Sequence, residues 1–190
     1  MAAPRNDNIK QQILDAASAL LRQKAFSDIS LADIARQSGV SKGTLYYYYN
    51  SKDDILFDVA ERYLEHLAQS LLEWTGNPEK DTSLPRLLGY TFERGAFDDS
   101  GALRLYLVGA GASGHEAVRE KLVERYAYFQ RMLAEKLRER GAGEQAEYAA
   151  WLVLTVMDGI LIQSQLGNPG FDAPGFIKKT VERLCEQNVQ

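Results

Sequence analysis

The chain has 190 residues, 45% of them apolar and 25% charged, with a net charge of −4. That is enough apolar material for a sizeable core and too balanced a composition for a disordered chain. The lone Cys185 excludes an internal disulfide, and His66 and His115 have neither the cysteine spacing nor the paired carboxylates of a metal site, so no metal and no cofactor is expected. No apolar run looks long enough to span a bilayer and the opening MAAPRNDN lacks a secretory core, so a cytoplasmic protein is expected.

From the N-terminus, Ile9, Ile13, Ala16, Ala17, Leu20 and Leu21 recur at helical spacing and predict a first helix with one buried stripe, leaving Lys10, Gln11 and Arg22 to solvent. The run ISLADIARQSGVSKGTLYYYYNSKDDI, residues 29–55, then packs a short helix, a tight turn and a second short helix into one module. Ser30 and Asp33 form a capping box, Leu31, Ile34 and Ala35 form an apolar stripe, and Gly39 ends that helix. Val40 is the inward plug of the turn. Ser41 caps the next helix, Gly43 to Tyr49, which is too short to be stable alone and must be held by its neighbours. Leu45 and Tyr49 read as core, while Tyr46 lies three residues from Tyr49 and reads either way.

Residue types make this module a candidate DNA reader. Small or polar groups at the start of a recognition helix let the backbone enter the major groove, and flanking donors reach phosphates. Lys42, Gly43 and Thr44 meet the first need, and Ser41, Thr44, Tyr46, Tyr47 and Lys52 the second, with Ser30 included in the set. Lys52 would be disfavoured at the positive end of the following helix unless an anion lay near. Charge is polarised accordingly: residues 1–52 hold seven Lys and Arg against four Asp and Glu, a balance of +3, and residues 53–190 hold fifteen against twenty-two, a balance of −7. A DNA-binding domain over 1–52 and a second helical domain over 53–190 follow as the expected division.

Beyond the module, an unbroken helix is predicted from Ser51 to about Trp74, long enough to act as a lever, ended by Gly76, Asn77 and Pro78. Further helices are expected near Leu84–Ala96, Gly101–Gly109, Glu116–Arg140, Glu144–Leu166 and Ala173–Glu186, so the fold class is all-α. Gly109, Gly111 and Gly114 match the spacing of a dinucleotide turn, but a long amphipathic helix and no second strand follow, so a Gly/Ala connection between helices is the stronger reading. No nucleophile elbow or phosphate loop occurs, and an enzyme is not expected.

The C-terminal part carries aromatic residues on different helices, and Trp74, Phe92, Tyr106, Tyr126, Phe129 and Trp151 are candidates to line a ligand cavity or simply core. Asp158 lies within the apolar WLVLTVMDGILI and needs a partner: a bound cation, an arginine or a hydrogen bond. The helix that contains it is apolar on nearly every face, so a subunit interface would cover it. Trp151, Leu154, Ile160 and Leu161, with Ile177, Val181 and Leu184 on the last helix, are the candidate seam of a homodimer.

The sequence resembles the TetR (tetracycline-repressor) family of one-component transcription regulators. The likeness runs from about Ile9 to Val59 and rests on ILDAASALLRQKAF, on ISLADIARQSGVSKGTLYYYYNSKDDIL and on Phe26 before the helix-turn-helix. It implies phosphate contacts from Ser41, Thr44, Tyr47 and Lys52 and groove contacts from Lys42, Gly43 and Tyr48. Many relatives carry His at the place of Tyr48 and Phe at that of Tyr49, so base preference does not carry over. The resemblance further implies a larger C-terminal helical domain for ligand binding and dimerisation, a structural use of the Asp158–Gly159 pair, and a repressor released from a palindromic operator by a small-molecule effector. Two other readings stand beside it: a ligand-independent dimeric DNA-binding protein, and a nicotinamide-dependent enzyme resting only on the glycine run.

Overall fold

A computed structural model of the chain describes residues 7–24, 26–97 and 100–186. The MAAPRN segment used in the targeting argument and the side chain of Phe26 lie outside what is described. Among the described residues nine α-helices follow in order: α1 Asp7–Leu21, α2 Leu31–Ser38, α3 Lys42–Tyr48, α4 Lys52–Thr75, α5 Leu84–Ala96, α6 Gly101–Ala112, α7 Glu116–Arg138, α8 Ala146–Gln165 and α9 Ala173–Glu186. Short 3₁₀ turns occupy Phe26–Asp28 and Gly143–Gln145. Among the described residues there is no strand, so the fold is all-α.

Local chemistry sets the helix ends in the N-terminal head. Ser30 is extended and its hydroxyl accepts from the Asp33 N–H at 3.1 Å, while the Ser30 N–H donates to the Asp33 carboxylate at 3.0 Å, which completes the capping box of α2. Gly39 adopts φ 70°, a left-handed position open to glycine, and the Val40 N–H then turns back to the Ala35 carbonyl at 3.2 Å. Ser41 caps α3 through the Thr44 N–H at 3.0 Å, and Ser51 caps α4 through the Asp54 N–H at 3.1 Å. The Ser30 and Ser41 caps were expected from sequence, Ser51 caps α4 where it was expected to open that helix, and α3 starts and ends one residue earlier than the predicted span.

Two apolar cores share one helix. The first gathers Ile13, Ala17, Leu20, Ile34, Leu45 and Tyr49 of α1–α3 and the loop after α3 around Ile55, Leu56, Phe57, Val59 and Ala60 of α4, and it extends to Leu103 and Leu107 of α6 and Val118 of α7. The second joins Leu71 of α4 to Phe92 of α5, Leu133 and Leu137 of α7, Val153, Leu154 and Ile160 of α8 and Ile177 of α9. The head is therefore packed on the rest of the chain through apolar side chains as well as through the backbone of α4.

The glycine run is the expected Gly/Ala connection only at its end, because α6 runs on to Ala112. Gly109 and Gly111 lie inside α6, and Gly114, at φ 104°, makes the turn to α7. A Cβ on Gly111 would stand 3.3 Å from Arg119 Cα, so its smallness lets α6 and α7 approach closely. No dinucleotide turn forms there.

The membrane expectation needs one correction. Residues Gly143–Gln165 form a stretch long and apolar enough, by length and composition, to cross a bilayer. One face of it packs inside the helical body, where Ala150, Val153, Leu154, Ile160 and Leu161 are buried, and it carries Asp158 against Arg104 and Tyr126.

The capping box has a pH signature. Hydrogen bonds from the Ser30 hydroxyl and N–H pull the Asp33 carboxyl from its ordinary 3.8 down to about 2. A carboxyl depressed by folding adds stability that is complete above its unfolded pKa and is lost as pH falls through the folded value. The melting temperature of Asp33→Asn should therefore lie below that of the parent by a constant margin from pH 7 to about 5, and the margin should shrink below about pH 4. A margin independent of pH across that range would show that the box contributes through shape alone.

Candidate functional site

The head presents α3 outward. Leu45 is buried as its anchor, and Tyr49, just past its end, is buried with its hydroxyl donating to Asp58 at 3.0 Å. Burial first, and the Asp58 charge second, push the Tyr49 phenol well above its ordinary range. Lys10 closes the same cluster with an ion pair to Asp58 at 2.8 Å. On the other side of α3, Ser41, Lys42 and Gly43 are exposed, and Tyr46 and Tyr47 keep 54% and 45% of their surface in water. Tyr48 packs partly on the core and meets Tyr47 edge-on at 5.3 Å. Thr44 and Lys52 are half-buried, and the Thr44 hydroxyl shares a 2.8 Å hydrogen bond with Ser41. Ser30 is engaged in the capping box of α2. Tyr46 is thereby resolved as a surface residue.

A polar latch ties the base of the head to the body. Tyr106 of α6 donates to Asp53 at 2.8 Å, His115 at the start of α7 lies 3.4 Å from the same carboxylate, and Lys121 of α7 is 3.6 Å from Asp54. The Lys121 ammonium also stands 4.7 Å from the Phe57 ring. Three residues of the first turn and a half of α4 are thus held by α6 and α7.

Below the latch, five helices enclose a cavity of about 150 Å³. Phe57, Leu64 and Leu67 of α4, Leu105 and Val108 of α6, and Phe129 of α7 supply much of an apolar wall. Tyr126 donates to Asp158 at 2.6 Å, and Arg104 approaches Asp158 at 3.8 Å while donating to the Gly95 carbonyl at 2.5 Å. Burial raises the Asp158 carboxyl, against the pull of Tyr126 and Arg104, and burial also raises the Tyr126 phenol. Arg125 donates to Glu61 at 3.0 Å across the wall.

Of the aromatic candidates, Tyr126 and Phe129 line this cavity, as does Asp158. The other four are elsewhere. Phe92 is fully buried in the second core, Tyr106 belongs to the latch, Trp151 faces outward with 47% exposed, and Trp74 stacks on Tyr90, which does line the cavity, at 4.8 Å. Glu61, Arg94 and Arg125 were missed as members of the wall. Glu61 and Arg125 meet across a separation of 64 residues, which no local spacing reveals. Arg94, four residues after Tyr90 on one helix, was within reach of a spacing argument.

The seam residues also need correcting. Leu154, Ile160, Leu161 and Ile177 are buried inside the subunit, and Val181 and Leu184 are half-buried there. Trp151 alone of the expected α8 residues lies on the outward row of that helix, beside Tyr148, Thr155, Gly159, Ile162 and Leu166, with Leu166 73% exposed. Phe176 adds an exposed ring on α9. Because α8 is apolar all round, hydrophobic periodicity gave no phase to tell the inner face from the outer.

Residues 13–59 match the family described as bacterial regulatory proteins, tetR family. The chain belongs to the TetR family of transcriptional regulators. It is 28% identical over 171 residues to the HTH-type transcriptional regulator BetI of Ectopseudomonas mendocina, covering 86% of this chain and 85% of that one. Its fold is similar to that of a transcriptional regulator from Saccharomonospora viridis solved in complex with choline, with a TM-score of 0.74 and 18% identity over 96% of this chain and 98% of that chain. It is also similar to that of FadR from Bacillus subtilis in complex with stearoyl-CoA, with a TM-score of 0.62 and 18% identity over 90% and 95% of the two chains.

Asp158 is the polar centre of the cavity wall, and its removal has a definite cost. Asp158→Ala takes the acceptor from the Tyr126 hydroxyl and the counter-ion from Arg104, and should lower unfolding free energy by about 2 kcal/mol. Asp158→Asn keeps an acceptor for Tyr126 and should cost less. Urea unfolding of both variants checks this, and equal stability of the parent and the alanine variant would remove Asp158 as an anchor.

Proposed function

We propose that this TetR-family regulator is a ligand-responsive repressor, binding a palindromic operator as a homodimer and leaving it when a small molecule fills the cavity. The observation that carries the proposal is that α4 is at once a wall of the cavity, through Phe57, Glu61 and Leu64, and the support of the head, through Ile55, Leu56 and the latch at Asp53 and Asp54. A molecule that pushes on that wall acts on the orientation of α3. The cavity favours this reading over a ligand-independent regulator. In this scheme residues 1–52 are the reading domain, 53–190 form the regulatory and dimerising domain, and the protein works in the cytoplasm where its DNA is.

The mechanism is a shift of populations: the effector must bind better to a dimer whose two α3 helices are wrongly spaced for successive major grooves. In the DNA-competent dimer those helices sit about one helical turn, roughly 34 Å, apart. Ser41, Thr44, Tyr46, Tyr47 and Lys52 hold phosphates, and Lys42, Gly43 and Tyr48 approach base edges, with Ser30 contributing through the cap of α2. Choline and stearoyl-CoA, bound in two of the similar structures, carry opposite charges, so likeness of fold names no effector for this chain.

Operator titration over a range of salt concentrations tests the reading face. Lys52→Ala should weaken binding to all sequences alike and reduce the slope of log affinity against log salt by about 1, because one phosphate neutralisation is lost. Lys42→Ala should change which base is preferred in the half-site. An unaltered salt slope in Lys52→Ala would take that lysine off the phosphate backbone.

Sedimentation tests the dimer. The outward row of α8 is the proposed seam, so Trp151→Glu should give a folded monomer that no longer binds the palindrome, since an unpaired carboxylate at an apolar contact costs about 2 kcal/mol or more per site. Trp151 is exposed within the subunit, so its replacement spares the core. A parent protein that is monomeric at micromolar concentration yet binds the operator tightly would end the homodimer proposal.

A further inference from the structure

The charges around the cavity discriminate between possible occupants. Three arginines reach it, Arg94 from α5, Arg104 from α6 and Arg125 from α7, against two carboxylates, Glu61 from α4 and Asp158 from α8. Both carboxylates are satisfied by the protein itself. Glu61 is paired with Arg125, whose N–H donates at 3.0 Å, and Asp158 accepts from Tyr126 at 2.6 Å and faces Arg104 at 3.8 Å. Among the described residues, a cationic ligand would meet no carboxylate in need of a partner and one positive charge in excess.

That excess is Arg94. Its guanidinium carbon stands 5.4 Å from the centre of the Tyr90 ring, and no carboxylate among the described residues forms an ion pair with it. Tyr90 is in turn stacked parallel on Trp74, with ring centres 4.8 Å apart and planes 1° from parallel. A guanidinium on an aromatic face is partly dehydrated and held in orientation, which prepares its fork of donors for a planar carboxylate. The remaining wall is dominated by aliphatic and aromatic side chains, and a volume of about 150 Å³ is the size that accepts a benzene molecule.

We infer that the effector is a small apolar monoanion, a carboxylate on a body about the size of a benzene ring or a six-carbon chain, with its charged end on Arg94 and its body among the apolar residues of the cavity. Bound this way it neutralises the surplus charge and leaves the Glu61–Arg125 and Asp158–Tyr126–Arg104 groups intact. The inference rests on the proposal that filling the cavity regulates DNA binding, and it adds the chemical class of the molecule that does so.

Three probes of similar shape and different charge decide it on the intact protein: phenylacetate, phenylacetamide and benzyltrimethylammonium. Thermal stability reports occupancy by mass action, and the fluorescence of Trp74, stacked on Tyr90 beside Arg94, reports the charged end of the site. Phenylacetate should bind saturably, phenylacetamide about tenfold or more weakly, and the cation not at all at the same concentrations. Arg94→Gln, at an exposed position that spares the core, should abolish the advantage of the acid over the amide and leave amide binding unchanged. Equal or tighter binding of the amide or the cation overturns the inference, as does an advantage of the acid that survives Arg94→Gln, or failure of all three probes to bind at millimolar concentration. Regulation fails separately: it is excluded if a probe that demonstrably occupies the cavity leaves operator affinity unchanged.

Discussion

Helix α4 closes two apolar cores at once, and the rest of the structure depends on that double use. Its 24 residues span roughly 36 Å. Ile55, Leu56, Val59 and Ala60 on its first half complete the core of the head, and Leu71 on its second half enters the core of the body. Neither set can shift along the helix axis without exposing the other, because packed cores are close-fitting and transmit strain rather than absorb it. The stretch between them, Glu61 to Leu67, borders the cavity through Glu61, Leu64 and Leu67, flanked by Phe57, Ala60 and Leu71. A rigid rod anchored at both ends with one side of its middle on the cavity is the physical basis for coupling the cavity to α3.

The latch sharpens that coupling. Asp53 and Asp54 sit at the positive N-terminal end of α4, where carboxylates are favoured, and they are also gripped by Tyr106, His115 and Lys121 from α6 and α7. Phe57, one turn on, touches both systems, since it lines the cavity and lies under the Lys121 ammonium. Displacement of Phe57 by an occupant therefore reaches the latch through a single side chain.

Much of this was legible in the sequence, and the limit has a physical cause. Helices, caps and stops are written in local spacing: Ser30 with Asp33, Gly39 before Val40, and Ser51 before α4 each act within one turn, and the structure places them where the sequence did. The inner stripe of α1 followed for the same reason. Membership of the cavity did not follow, because periodicity says that a residue lies on an apolar face and says nothing about which neighbour fills the space opposite. Phe92 met a filled core and Tyr126 met an empty one, from equally apolar surroundings. Asp158 stood out because a carboxylate in an apolar helix is costly by itself, but its partners Arg104 and Tyr126 are 54 and 32 residues away in sequence.

Glycine and methionine shape the end of the cavity near Asp158 in opposite ways. A Cβ at Gly95 would collide with the Met157 side chain, so the missing methyl group is what lets α5 approach α8. That approach brings the Gly95 carbonyl to Arg104, which is thereby fixed beside Asp158. Met157 and Met132, both lining the cavity, are unbranched and adapt to irregular space. The deep polar group is thus held rigidly while the apolar surface beside it can deform. A regulator built this way can accept bodies of somewhat different outline yet remain strict about charge, because repacking a thioether costs little and an unpaired buried charge costs several kcal/mol.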